Sequence, residues 1–208
     1  MPHATQKPVS MFSLRHGKTN PAADHTREAD AARRLTDAGK DIVRDTGIFM
    51  QDSSLNFRPE ALIVSSAARA QESAGIFLEV MGIKDIPTIM TDGLYQWSEM
   101  DESVKDIPFD ANMMLYYNSE HDNREKHRQD LLQFERNRIR DAVQAFEDLG
   151  VNGQILVVSH AWVSNCVAMA YDLSGRDYYR QIVLPEAHGI LITNGHRPLK
   201  IGPNGIVQ

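Results

Sequence analysis

The sequence predicts an α/β layered domain built on a mainly parallel sheet, and three observations carry that prediction. Short, mostly apolar runs that read as buried strands alternate with helix-period segments along a chain of 208 residues. At about 100–200 residues per domain, that length fits one domain, taken as residues 1–208. Three of the strands end in polar, cation-bearing sequence, and in such sheets ligands collect beyond the carboxyl ends of the strands.

Taken in order, Val9-Ser10-Met11-Phe12-Ser13-Leu14 is the first strand and opens onto Arg15-His16-Gly17-Lys18-Thr19-Asn20-Pro21. Asp24 to Arg34 is charged and alanine-rich, a loop with a short helical turn. Thr36 is suited to N-cap a helix that buries Ile42, Val43 and Ile48. Ala61-Leu62-Ile63-Val64-Ser65 is a second strand. Ser66 then caps a helix to about Met81, with Ala70, Ala74, Phe77 and Leu78 at helical spacing. Ile86-Pro87-Thr88-Ile89-Met90 is edge-like, because proline is best tolerated at a sheet edge. Periodicity weakens over 91–123, a lid or insertion segment holding Trp97, Glu99, Asp101, Glu102, Asp106, Tyr116 and Tyr117. A long helix follows from about Arg124 to Leu149, stopped by Gly150. Gln154 to Ser159 is the strongest strand, with His160 directly after it and a helix over Ala161 to Tyr171. Gly189 to Thr193 is a last strand before a Gly/Pro-punctuated tail.

Composition excludes several classes. With 42% hydrophobic and 24% charged residues the chain is of ordinary soluble globular type. One cysteine, Cys166, rules out an intrachain disulfide framework and is expected to pack in a helix. No run of 18 apolar residues predicts a membrane span, and the N-terminus lacks a signal-peptide layout. Together these predict a reducing, cytoplasmic setting. A net charge of -6 argues against a general nucleic-acid binder. The eight histidines show no His-x-x-x-His or paired-cysteine spacing, so no metal site is expected.

The three loaded strand ends are Arg15-His16-Gly17, Ser65-Ser66-Ala67-Ala68-Arg69 and Ser159-His160. A phosphoryl group spreads negative charge over several oxygens, and guanidinium groups match it with paired donors. A neutral histidine nitrogen can attack phosphorus, and a second, protonated histidine would set another cation against the transferring group. Such a set meets the main demands of phosphoryl transfer, positioning and charge stabilisation, without a metal. Arg69 lies near a helix start, where free N–H groups also favour an anion. Ser65, Ser66 and Ser159 read as turn and cap residues, since no Gly-x-Ser-x-Gly elbow surrounds them.

At these residues the chain resembles the histidine phosphatase superfamily, the phosphoglycerate-mutase-like branch 1 group. The resemblance rests on four elements in order over residues 9–165. They are Leu14-Arg15-His16-Gly17-Lys18-Thr19, Leu35 to Gly39, Ser65 to Gln71 followed by a one-residue slip at Glu72-Ser73-Ala74, and Val157-Val158-Ser159-His160. It implies a three-layer α/β/α sandwich and a chemistry without metal or other cofactor. It assigns His16 as the phosphorylated nucleophile and Arg15, Arg69 and His160 as binders of the phosphoryl oxygens. Where many members carry Leu-x-Glu as the acid, this chain has Leu94-Tyr95-Gln96, and Glu99 is the nearest carboxylate to take over. Many members also place an asparagine a few residues after the threonine. Here Asn20 follows Thr19 at once, and both are taken with His188 as substrate-binding candidates.

Three functions stay open at this point. One is hydrolysis of a phosphomonoester or phosphohistidine on a small molecule or phosphoprotein. The second is a phosphoglycerate-mutase-type phosphotransfer, and the third a non-catalytic phospho-ligand binding module.

Overall fold

The computed structural model describes residues 10–23, 26–95, 124–150, 152–172, 178–179, 182 and 184–207. Seven strands form one sheet: β1 (Ser10–Arg15), β2 (Ala61–Ser65), β3 (Thr88–Thr91), β4 (Gln154–Ser159), β5 (Gly189–Thr193), β6 (Leu199–Gly202) and β7 (Gly205–Val207). The helices are α1 (Arg27–Ala31), α2 (Asp37–Asp52), α3 (Ala68–Val80), α4 (Arg124–Leu149) and α5 (Ala161–Tyr171), with a 3-10 turn over Asp92–Leu94.

Strand order is β3-β2-β4-β1-β5-β6-β7. The four strands nearest the site, β1 to β4, are parallel neighbours, as the alternating pattern predicts. From β5 onward the sheet turns antiparallel. The tail read as punctuation is the β6–β7 hairpin, whose strands of four and three residues are too short to show a period.

Alternation along the strands splits the core into two faces. Met11, Ala61, Ile63, Ile155, Val157, Ile190 and Ile192 point to one side, against α4 and α5. Phe12, Leu14, Leu62, Val64, Leu156, Val158 and Leu191 point to the other, against α2 and α3. Successive side chains of a strand face opposite sides, so a sheet covered on both faces needs apolar residues at nearly every position. The result is a three-layer α/β/α sandwich. Cys166 is buried in the α5 layer.

Some local expectations are corrected. Ile48 is 43% exposed, because α2 turns Val43, Thr46, Gly47 and Met50 inward. Ser66 does not cap α3; the N-cap is Ala67, and the Ser66 hydroxyl donates to Asp92 Oδ1. The edge strand starts at Thr88, after Pro87, whose carbonyl accepts from Leu62 N–H at 2.9 Å. Thr36 does cap α2, accepting from Gly39 N–H at 2.9 Å. Gly150, with φ +61, follows α4 in the left-handed conformation that suits a helix end. Val9 and most of the 91–123 segment lie outside the described residues.

Candidate active site

β4 lies between β1 and β2 with parallel register, pairing Arg15 with Ser159 and Val64 with Val158. Their carboxyl ends therefore share one edge of the sheet. His16, Arg69 and His160 are carried there from three separate stretches of chain, and all three are buried.

The loop after β1 is held rigidly. His16 N–H donates to the Ser159 carbonyl at 2.9 Å, and the His16 carbonyl accepts from Ala187 N–H at 3.1 Å. Gly17 N–H donates to Ser73 Oγ of α3 at 3.1 Å. The Leu35-to-Gly39 element docks on the same loop. Thr36 N–H donates to the Lys18 carbonyl at 3.0 Å, and Thr19 forms a β-bridge to Leu35. A Cβ on Gly39 would lie 2.1 Å from the Lys18 carbonyl oxygen, and one on Gly17 would lie 2.5 Å from the Gly39 oxygen. Both motif glycines are thus explained by close backbone approach.

His16 Nδ1 lies 2.7 Å from the Gly17 carbonyl. A carbonyl only accepts, so Nδ1 carries the proton and Nε2 keeps its lone pair. That lone pair faces Arg69, whose Nε–H donates to it at 3.3 Å. Arg69 Nη2 lies 3.4 Å from His160 Nδ1, and His160 Nε2 lies 3.0 Å from Ser65 Oγ. Since arginine only donates, His160 accepts through Nδ1 and donates through Nε2–H to Ser65. The two imidazoles meet edge to face with centroids 5.0 Å apart.

Burial holds the His16 pKa well below the ordinary histidine value, and the charges of Arg69, Arg15 and Arg33 act the same way against the opposing Gly17 bond. His160 is lowered first by burial, then by His16 and the same arginines. The second histidine is therefore neutral in this arrangement, rather than the cation expected from sequence.

Arg15 donates from Nη1 to the Leu184 carbonyl at 2.6 Å, and its Nη2 lies 3.8 Å from Glu186 Oε1. Its charge reaches both histidines. Thr19 and Asn20 do not meet His16 through their side chains in any bond seen here. Thr19 Oγ1 accepts from Arg33 Nη2, and the Asn20 carbonyl accepts from Arg33 Nε at 2.7 Å. His188 makes its side-chain contacts elsewhere. Its ring packs on Gly202 of β6, its Nδ1 is 3.0 Å from the Glu186 carbonyl, and only its backbone carbonyl serves the site, accepting from Arg15 N–H at 2.9 Å. Glu99 and Gln96 lie outside the described residues.

Sequence reasoning missed four contributors. Asp30 is buried, with its carboxylate on Arg69, Arg33 and Tyr95. Arg33 contacts the loop after His16. Tyr95 lies beneath His160 with ring centroids 5.6 Å apart. Ser65, read as a turn residue, is the partner of His160. The one available signal was the Asp30–Arg33 spacing just before Leu35, and a charged, alanine-rich stretch disguises it.

The structural comparisons agree with the layered fold. The protein histidine phosphatase SixA complexed with tungstate superposes with a TM-score of 0.57 at 16% identity, covering 94% of this chain and 97% of that one. A phosphoglycerate mutase from Bacillus anthracis gives a TM-score of 0.55 at 17% identity over 92% and 91% of the two chains. The product of open reading frame Rv3214 from Mycobacterium tuberculosis gives 0.55 at 16% identity over 90% and 93%. No curated protein matches the chain in sequence. The profile of the histidine phosphatase superfamily (branch 1) spans residues 11–196, from β1 through the turn beyond β5, and it is to this superfamily that the chain belongs.

Proposed function

We propose that the protein is a metal-independent phosphatase acting on a phosphomonoester or phosphohistidine through a covalent intermediate at His16. Family membership supports a phosphatase-type function broadly. The observation that carries the finer reading is the His16 ring, tied at Nδ1 to Gly17 with its Nε2 lone pair turned towards Arg69 and the His160 ring edge to face with it.

In the first step the Nε2 lone pair forms an N–P bond while the bond from phosphorus to the leaving group breaks, P–O in a phosphomonoester or P–N in a phosphohistidine, and its electron pair stays on the leaving oxygen or nitrogen. Arg69 and Arg15 oppose the charge on the phosphoryl oxygens, and His160 Nδ1 lies where it can take a proton and share that work. Glu99 is the proposed donor of the proton to a poor leaving oxygen. A phosphoramidate leaves readily and needs less help, which accords with Gln96 at the usual acid position. In the second step water attacks phosphorus, the N–P bond breaks and its pair returns to Nε2. The proton of water passes to the same carboxylate. The substrate in this reading is a phosphorylated small molecule or phosphoprotein in the cytoplasm.

The test is p-nitrophenyl phosphate hydrolysis in EDTA for wild type and His16→Ala, with quenching in alkaline detergent to look for an acid-labile, alkali-stable phosphoenzyme. Wild type is expected to turn over, and His16→Ala to lose about a thousandfold or more. Equal rates would remove His16 as nucleophile. Oxyanion binding without turnover on this substrate or a phosphohistidine peptide would establish the binding-module reading instead.

A further inference from the structure

The Asp30 carboxylate is the least expected group in this cluster, because an anion stands where an anion is to be bound. The detail of its contacts resolves the contradiction. The Arg69 guanidinium has two edges. Nη1 donates to the Asp30 backbone carbonyl at 2.5 Å, and Nη2 donates to Asp30 Oδ2 at 2.9 Å. The other edge, Nε with the second Nη2 hydrogen, faces His16 Nε2 at 3.3 Å and His160 Nδ1 at 3.4 Å. Asp30 therefore occupies one edge and leaves the other turned to the nucleophile.

The carboxylate is itself fixed. Oδ1 accepts from Arg33 Nη1 at 2.9 Å, and Oδ2 also accepts from the Tyr95 hydroxyl at 2.7 Å. The Arg69 guanidinium lies over the Tyr95 ring at 5.8 Å, which leaves it little freedom to tilt. Arg33, held by the opposite oxygen, reaches Thr19 in the loop that follows His16. One carboxylate thus ties together α1, the two arginines and the turn after β3.

We propose that Asp30 is a positioning residue, gripping one edge of Arg69 so that the Nε/Nη2 edge is presented as a bidentate donor to the phosphoryl group at His16. The proposal rests on the phosphoryl-transfer reading above. Preorganised donors act without reorganising as charge develops, so the effect is larger on the pentacoordinate state than on bound phosphate. Burial alone would raise the Asp30 carboxyl. The Arg69 charge and the hydrogen bonds from Arg33, Tyr95 and Arg69 outweigh it and keep the group ionised.

The experiment compares orthovanadate and inorganic phosphate as ligands of wild type, Asp30→Asn and Asp30→Glu, by calorimetry and by inhibition of p-nitrophenyl phosphate hydrolysis. An asparagine turns an N–H group towards one of the arginines, and it is expected to weaken vanadate at least about tenfold and phosphate clearly less. The rate at saturating substrate falls with the vanadate affinity, and glutamate restores part of the loss. A general loosening of the fold would weaken both ligands alike. If Asp30→Asn binds vanadate as well as or better than wild type, Asp30 is a competitor for Arg69 and the proposal is overturned. If Asp30→Asn does not fold, Asp30→Ser, which lacks the carboxylate, is read in its place, and unchanged vanadate affinity there overturns the proposal equally. Wild type that binds neither oxyanion overturns the functional reading with it, whereas binding by wild type that the variants match overturns only the role of Asp30.

Discussion

His16 is tied to Gly17 through one ring nitrogen and turned to Arg69 through the other, and the contact with Arg69 needs the ring neutral. Protonating Nε2 would set an N–H against the Arg69 Nε–H in a site without water's dielectric. Burial, then the Arg69 charge, lowers the pKa accordingly. The expected consequence is that the nucleophile stays active as pH falls through about 6.5, where an ordinary imidazole is half protonated. Proton NMR of the His16 and His160 ring carbons should show no midpoint near that value. In Arg69→Gln both midpoints should move upward, because a cation that disfavoured protonation is gone. An ordinary histidine titration in the wild type would contradict this account. At this scale the sequence was readable where a residue type is rare at a strand end, as with His16, Arg69 and His160. Asp30 and Tyr95 were not readable. A carboxylate in a charged stretch reads as solvated until tertiary pairing buries it, and a tyrosine beside Gln96 carries no period.

The loop after β1 and the start of α2 are two elements that touch through bare backbone. Lys18 and Gly39 approach so closely that any side chain at 39 must push the loop that carries His16. Gly39→Ala is therefore expected to destabilise the fold by about 1–3 kcal/mol, as overpacking does. It should also lower activity more than its loss of stability explains. Gly75, exposed within α3, makes the control, since a Cβ there meets nothing within 4 Å. Gly75→Ala should stabilise by about 0.5–1 kcal/mol through the unfolded chain. Urea unfolding of both variants checks the pair, and a neutral Gly39→Ala would show that the loop yields freely. The Leu35-to-Gly39 element was visible as a pattern and its cap at Thr36 followed from residue chemistry. Its purpose, clamping the nucleophile loop, was not visible, because a contact between two glycines leaves no hydrophobic trace. The β6–β7 hairpin was missed for a related reason, being too short and too interrupted to alternate.

For the molecule as a whole, the sheet's two apolar faces supply the stability and its carboxyl edge is where that stability is spent. Two histidines and two arginines are buried or nearly so at one rim, at the junction of three parallel strands. Both histidine pKa values are lowered in the folded state, first by burial. Below about pH 6.5 the unfolded chain therefore binds protons that the folded chain refuses, so folding stability must fall as pH drops. The slope approaches about 1.4 kcal/mol per pH unit for each histidine that is charged unfolded and neutral folded. Asp30 adds little to this window, because its own lowered pKa contributes stability that is lost as pH falls from the ordinary carboxylate range through the lower folded value. Thermal melts from pH 7.5 to 5 should consequently show a falling midpoint in wild type. His160→Gln keeps a hydrogen-bonding side chain without a titrating ring and should remove about half of that slope, whatever it does to the absolute midpoint. Were the slope identical in both proteins, the acid sensitivity would have to originate outside this rim.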